Sequence, residues 1–279
     1  MCLNTLIKNR CTPTLSVNKF ALLGRRGNTS QASKAIKFWE FISVQEAANG
    51  RQLLMDGKPM RTPAGNNLLI PYEKPAVLAE LIAQEWRSLH SLKLKSHLIP
   101  LTSLAGRSID ITKEQIEEEI PKLLKYLDTD TLLVLSPKKD CEGKVRAAQD
   151  KLFPPVIEEA RKEWGLPKTG LSTLDTEIAI CGNYQPIDTR NKVSEWMRSL
   201  DHWQFASLER ATATAKSLIL GMNTVLHKMP VKEISDLSNL DVNLQTEFWG
   251  MVEDTHDVLR EDVPRLLGSA YINSLKEEN

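Results

Sequence analysis

The apolar positions of this chain follow two different periods. Between Phe38 and Pro71 they fall in short runs closed by turn residues. Residues 41–44 read as a strand, and Asn49-Gly50 follows as a turn. Asp56-Gly57 supplies the positive φ angles of a tight hairpin. A further turn at Ala64-Gly65-Asn66 leads into the apolar run 68–70, which ends at Pro71. Residues 38–71 are therefore expected to form a small antiparallel meander, with Met60, Arg61 and Thr62 between its last two turns.

Beyond Pro71 the spacing becomes helical. Val77, Leu78, Leu81, Ile82, Trp86 and Leu89 share one face of a helix over 74–89, with Pro75 in its first turn. Residues 99–109 read as an extended entry and a short helix. Ile116, Ile120, Leu123, Leu124 and Leu127 form a stripe over 114–127 that Asp128-Thr129-Asp130 ends. Val145 to Trp164 keeps the period, although Pro154-Pro155 is expected to kink or split that helix. Residues 171–181 read as a strand or extended connection, and Val193, Trp196, Met197 and Leu200 mark a short helix. Asp201 with Gln204 resembles a capping box. It opens a long predicted helix carrying Phe205, Leu208, Ala211, Ala215, Leu218, Ile219, Met222 and Leu226, stopped by Pro230. A last helix is expected from about residue 241 past His256, with Leu244, Phe248, Val252 and Leu259 inward. The fold class is thus α+β: a small N-terminal antiparallel β domain followed by a larger all-helical C-terminal domain. The expected division is 1–35 leader, 36–95 β-rich domain with a following helix, 96–265 helical domain and 266–279 tail.

Charge changes the picture at the N-terminus. The chain totals 36 basic and 36 acidic residues, yet no Asp or Glu precedes Glu40, while Lys8, Arg10, Lys19, Arg25, Arg26, Lys34 and Lys37 do. Seven Ser or Thr accompany them. An acid-free, basic, hydroxyl-rich start is the composition of a mitochondrial transit peptide, and no apolar core of a secretory signal is present. Residues 38–279 are left with 29 basic against 36 acidic side chains, a net of −7. That balance argues against a nucleic-acid partner, and no apolar run approaches the ~20 residues of a membrane span. Cys2 and Cys11 fall in the leader, and Cys141 and Cys181 belong to no paired motif. Neither a zinc site nor a disulfide framework is expected.

Catalytic signatures are sparse. Gly50 to Lys58 imitates a phosphate-binding loop, but six residues separate its glycines and Pro59 stands where a Ser or Thr must hold magnesium. No nucleophile elbow, HExxH or dinucleotide fingerprint occurs, and His90, His97, His202, His227 and His256 show no triad spacing. Gln245 to Asp257 (QTEFWGMVEDTHD) is the densest candidate. If helical, Glu247 and Asp254 share a face and could act as a carboxylate pair in an enzyme. His256 with Asp257 and Glu253 could hold a metal. Phe248 and Trp249 within an acidic rim also have the composition of a protein-binding patch.

Six segments, in order, resemble one family. They are FWEFISV at Phe38, GKPMRTPAGNNLLIP at Gly57, LAELIAQEW at Leu78, IPLTSLAGRSID at Ile99, LLKYLDTDTLL at Leu123 and QTEFWGMVEDTHD at Gln245. Together they resemble the mitochondrial F1-ATPase assembly chaperones that handle the alpha subunit, the ATP12 chaperone family. The resemblance implies an N-terminal β domain, a helical C-terminal domain and residence in the mitochondrial matrix. It also implies transient binding, by a monomer without cofactor, of unassembled alpha subunit until beta replaces it. Catalysis by the chaperone itself is not implied. The family's functional acidic positions fall on Glu247 and Glu253, which with Phe248, Trp249 and Asp254 make the expected partner-binding set. The rival expectation is a matrix enzyme using Glu247 and Asp254.

Overall fold

A computed structural model of the chain describes residues 37–90, 98–179 and 183–277. Strand β2 (Gly50–Met55) is the centre of the N-terminal sheet. Strand β1 (Ile42–Ala47) pairs antiparallel along one side, with Ile42 opposite Met55 and Ala47 opposite Gly50. Along the other side lie β3 (Lys58–Pro59) and β4 (Leu69–Pro71), both antiparallel to β2. The expected meander is therefore folded around one strand. Asp56 (φ 48°) and Gly57 (φ 76°) make the two-residue turn. Gly50 has φ 152°, and a methyl group there would collide with the carbonyl of Ile70. Strand β4 can close on β2 because position 50 has no side chain.

Ten α-helices follow among the described residues: α1 (Ala76–Ser88), α2 (Pro100–Asp110), α3 (Lys113–Asp128), α4 (Lys144–Glu163), α5 (Ile187–Ser199), α6 (His202–Ala215), α7 (Leu218–Val225), α8 (Val231–Ser238), α9 (Leu240–Trp249) and α10 (His256–Ser274). A short parallel pair, β5 (Val134–Leu135) and β6 (Leu174–Asp175), lies among them. The five positions of the α3 stripe are all buried. One apolar core joins the sheet to α1 through Trp39, Leu53, Leu68, Ile70, Leu78 and Ile82. A larger one is built on α3, α4, α6 and α7. Helix α2 serves both, giving Leu101 and Ala105 to the first and Leu104 to the second.

Polar side chains tie these elements end to end. Asp110 at the end of α2 accepts from the Thr62 hydroxyl (2.6 Å), the Asn66 amide (2.8 Å) and the Ala64 N–H (3.1 Å), fastening the 62–66 turn. Glu85 in α1 accepts from the N–H groups of Leu101 (2.8 Å) and Thr102 (2.9 Å), satisfying donors left over at the start of α2. Asp201 and Gln204 form the expected capping box on α6.

Several expectations fail for identifiable reasons. Helix α4 is not split, because Pro154 and Pro155 lie on its exposed face, where carbonyls without an N–H partner can reach water. The long helix predicted through Leu226 is two helices. Lys216 adopts the left-handed conformation (φ 54°), and Ser217 caps a new start at Leu218. Val77 faces outward rather than joining the α1 stripe. Residues 266–274, expected as tail, complete α10 and bury Leu267, Ala270 and Asn273. The leader (1–35) and Cys181 lie outside the described residues.

Candidate functional site

The last predicted helix is broken, and the break exposes the candidate residues. Helix α9 ends where Gly250 turns out of the helical region (φ 90°), and a short loop containing Asp254 in the left-handed conformation (φ 61°) leads into α10. No residue of α9 is fully buried. Leu244 is half-buried, whereas Phe248, Val252 and Leu259, expected inward, are exposed together with Trp249, Met251 and Val258. Trp249 is 75% exposed and stands edge-on to Phe248, with ring centroids 4.7 Å apart. The Lys144 ammonium lies 5.8 Å from the centre of the Phe248 ring. Glu247, Glu253, Asp254, Asp257 and Glu261 are interspersed with these apolar groups along the chain and are all exposed. Exposed apolar groups interspersed with charge are chemically suited to protein contact.

The predicted set is thus gathered in part. Glu247, Phe248 and Trp249 are consecutive at the end of α9; Glu253 and Asp254 belong to the loop beyond Gly250. Glu247 and Asp254 do not share a helix face, because the helix that would have aligned them ends at Trp249. Glu247 lines a cleft of about 660 Å³ between α8, α9 and α10, with Asn243 and Arg260, and Asp254 is not among its walls. The carboxylate-pair enzyme loses its geometric premise. The ring Nδ1 of His256 accepts the Val252 N–H (3.1 Å), a local loop contact. Among the described residues no group of three potential metal ligands is found. The Gly50–Lys58 imitation of a phosphate loop is two strands and their turn. No described helix is long and apolar enough to cross a membrane.

Two polar features escaped the sequence. Asp130, read only as a helix end, is fully buried and accepts from the N–H groups of Leu132 (3.0 Å) and Ile219 (3.1 Å). Burial pushes its carboxyl up to about 6, against the pull of the hydrogen bonds from Ser217, Leu132 and Ile219. The second feature is a cleft of about 690 Å³ between β5, β6 and the start of α9, lined by Asp128, Val134, Leu174, Asn183, Tyr184 and Asp241 among others. Asp241 was read only as the start of a helix. Nothing in a single sequence brings residues 128, 183 and 241 together.

Four of the six segments that carry the resemblance are tied into the fold by buried side chains and hydrogen bonds, and a fifth, FWEFISV, buries Trp39 and Ile42 while exposing Phe38 and Phe41. Glu85 of LAELIAQEW caps IPLTSLAGRSID, whose Asp110 holds GKPMRTPAGNN, and Asp130 of LLKYLDTDTLL holds the start of α7. The sixth, QTEFWGMVEDTHD, is left at the surface.

The class of fold is a small antiparallel sheet packed on a larger helical body, with Phe248 and Trp249 exposed at the end of α9. The fold matches that of Atp12 from Paracoccus denitrificans (TM-score 0.66, 24% identity, 86% of this chain and 96% of that one). It also matches the Atu1473 protein from Agrobacterium tumefaciens (TM-score 0.69, 22% identity, 85% and 84%). The model of the ATP12 chaperone protein family matches residues 36–161. The chain is 36% identical to mitochondrial protein ATP12 of Saccharomyces cerevisiae, over 98% of this chain and 90% of that one. It is 34% identical to mitochondrial protein atp12 of Schizosaccharomyces pombe, over 85% and 81%. The chain belongs to the ATP12 chaperone family, and its role is that of a chaperone in ATP synthase assembly.

Proposed function

We propose that this protein binds the unassembled alpha subunit of F1 ATP synthase in the mitochondrial matrix, as a monomer, and holds it until the beta subunit takes its place. The observation that carries this reading is the surface of α9 and the following loop. Phe248 and Trp249 stand out from the fold within a rim of Glu247, Glu253 and Asp254, and α9 buries no residue of its own. A side chain the size of tryptophan gains free energy when a partner covers it. An unassembled alpha subunit carries an apolar face meant for beta, and such faces aggregate. Covering that face reversibly needs apolar anchors and a surface that keeps the complex soluble, and this corner supplies both.

The test is co-expression with F1 alpha subunit in the absence of beta. Soluble alpha that co-purifies with the wild-type chain is the expected result; alpha equally insoluble with and without it removes the reading. Glu247→Lys is expected to weaken alpha capture while the circular dichroism and melting temperature of the chaperone stay unchanged. Full capture by that variant would withdraw Glu247 from the contact surface.

A further inference from the structure

The cleft at the other end of α9 contains unmet bonding capacity that the fold does not use. Its two carboxylates differ. Asp128 is neutralised by the Arg190 guanidinium at 2.7 Å. Asp241 accepts from the Gln149 amide (2.9 Å) and the Ser136 hydroxyl (3.4 Å) and has no cationic partner among the described residues. Burial pushes its carboxyl above the ordinary range, and Asp140 adds to that push. Asn183 is 9% exposed, and its side-chain Nδ2 has no hydrogen-bond partner among the described residues; the Thr131 hydroxyl is in the same position. All three residues line the cleft, beside the apolar walls Val134 and Leu174. Buried polar groups without a protein partner are uncommon, and those of Asn183 and Thr131 can each bond to a group entering the cleft. Tyr184 at the mouth is 80% exposed, and Ile178 and Ile187 on either side of it in sequence are exposed as well.

We propose that this cleft is a second part of the client-binding surface and takes a short extended segment of client polypeptide carrying an arginine or lysine beside an aliphatic residue. The inference rests on the client reading above. The cation answers Asp241 and the aliphatic group answers Val134 and Leu174. A peptide carbonyl accepts from Asn183 Nδ2. The exposed ring of Tyr184 in the lining suits a chain that continues past the cleft rather than an enclosed metabolite. The cleft and the aromatic corner are joined by one helix: Asp241 stands in the first turn of α9, and Phe248 and Trp249 in its last. Ten residues of helix span about 15 Å, which an extended peptide covers in about five residues.

The test uses short overlapping peptides of the F1 alpha subunit, with wild-type protein, Asp241→Asn and Asn183→Leu compared by fluorescence anisotropy. Peptides with a basic residue next to an aliphatic one are expected to bind the wild type and to lose about tenfold in affinity to Asp241→Asn, the scale of one charged contact. Citrulline in place of the peptide arginine is expected to cost the same, with no further loss when both changes are combined. The Asp241 carboxyl of the wild type, followed by carbon NMR, is expected to titrate at lower pH once peptide is bound, a readout that does not depend on any variant folding. Equal binding by wild type and Asp241→Asn, or a loss indifferent to peptide charge, overturns the inference. So does a peptide of residues 1–36 of this chain binding the cleft in preference to every alpha peptide. If wild type keeps alpha soluble while the cleft variants do so equally well, only this inference falls. If wild type leaves alpha insoluble and binds none of its peptides, the client reading falls and takes this inference with it.

Discussion

Two buried charges set the behaviour of single residues here. Lys74 is 2% exposed, its ammonium has no hydrogen-bond partner among the described residues, and it rests 5.3 Å from the centre of the Trp203 ring. Desolvation brings it down to about 8, helped by Lys276 and opposed by Asp201 and Glu73. The folded state thus holds this proton less tightly than the unfolded chain. Between pH 8 and 10.5 the unfolded state binds more protons, so this group makes stability rise with pH across that window. Lys74→Met is expected to be more stable than wild type at pH 7 by about 1 kcal/mol or more, and to lack the rise. Urea unfolding curves collected at pH 7, 8, 9 and 10 read both effects, and a Met variant less stable at pH 7 would falsify the account. Asp130 behaves in the opposite sense. Its folded carboxyl, at about 6, keeps a proton that the unfolded chain releases near 3.8, so its contribution falls as pH rises through that interval. Its hydrogen bonds still matter. Asp130→Ala leaves the N–H groups of Leu132 and Ile219 without partners in the core and is expected to cost about 2–4 kcal/mol in thermal or chemical unfolding.

At the scale of elements, the sequence was most legible where one face of a helix met the chain's own core. The α3 stripe was readable residue by residue, and so were the Asp56-Gly57 turn and the Asp201–Gln204 capping box, because each depends on side chains within a few positions. The breaks were not legible. The apolar period runs from Phe205 through Leu226 without interruption, yet Lys216 is left-handed, since Ser217 and Asp130 offer the chain a new helix start. That second cap lies 86 residues away in sequence from Lys216. Lys216→Gly is expected to stabilise the fold by about 1 kcal/mol, by removing a side chain that the left-handed conformation disfavours. Gly50→Ala is expected to cost about 1–3 kcal/mol, because the added methyl meets the Ile70 carbonyl rather than open space. Differential scanning calorimetry would check the pair, and the same sign for both would defeat the backbone argument. The spacing of Leu244, Phe248, Val252 and Leu259 misled for another reason. Periodicity marks residues that want cover and does not say whether this chain or another supplies it. The candidate site was legible in kind, as aromatic groups among acids, while the cleft around Asp241 was not, because its walls come from distant parts of the chain.

For the whole molecule, the two chemistries of the α9 corner should separate in time. From residue 240 to 262 the chain carries seven acidic side chains against one arginine, within a body of net charge −7 from residue 38 onward. Charge acts at a distance and is screened beyond about 8–10 Å at physiological salt, so under the proposed function the acids would govern how fast a client with basic groups arrives. The aromatic pair acts only on contact, so it governs how long the client stays. Reversing Glu247 to Lys is therefore expected to slow alpha-subunit capture at low salt, and the difference from wild type is expected to shrink as salt is raised. Trp249→Ala is expected to leave capture nearly unchanged at every salt concentration and to speed release by about tenfold or more, the usual scale for an anchoring tryptophan. Biolayer interferometry at two ionic strengths reads both rates from the same traces. A temporary holder has to yield to beta, so the tryptophan variant should also give alpha up at lower beta concentrations than the wild type. If Trp249→Ala slowed arrival instead, or Glu247→Lys accelerated release at high salt, the aromatic and acidic groups would not have the separate roles proposed for them.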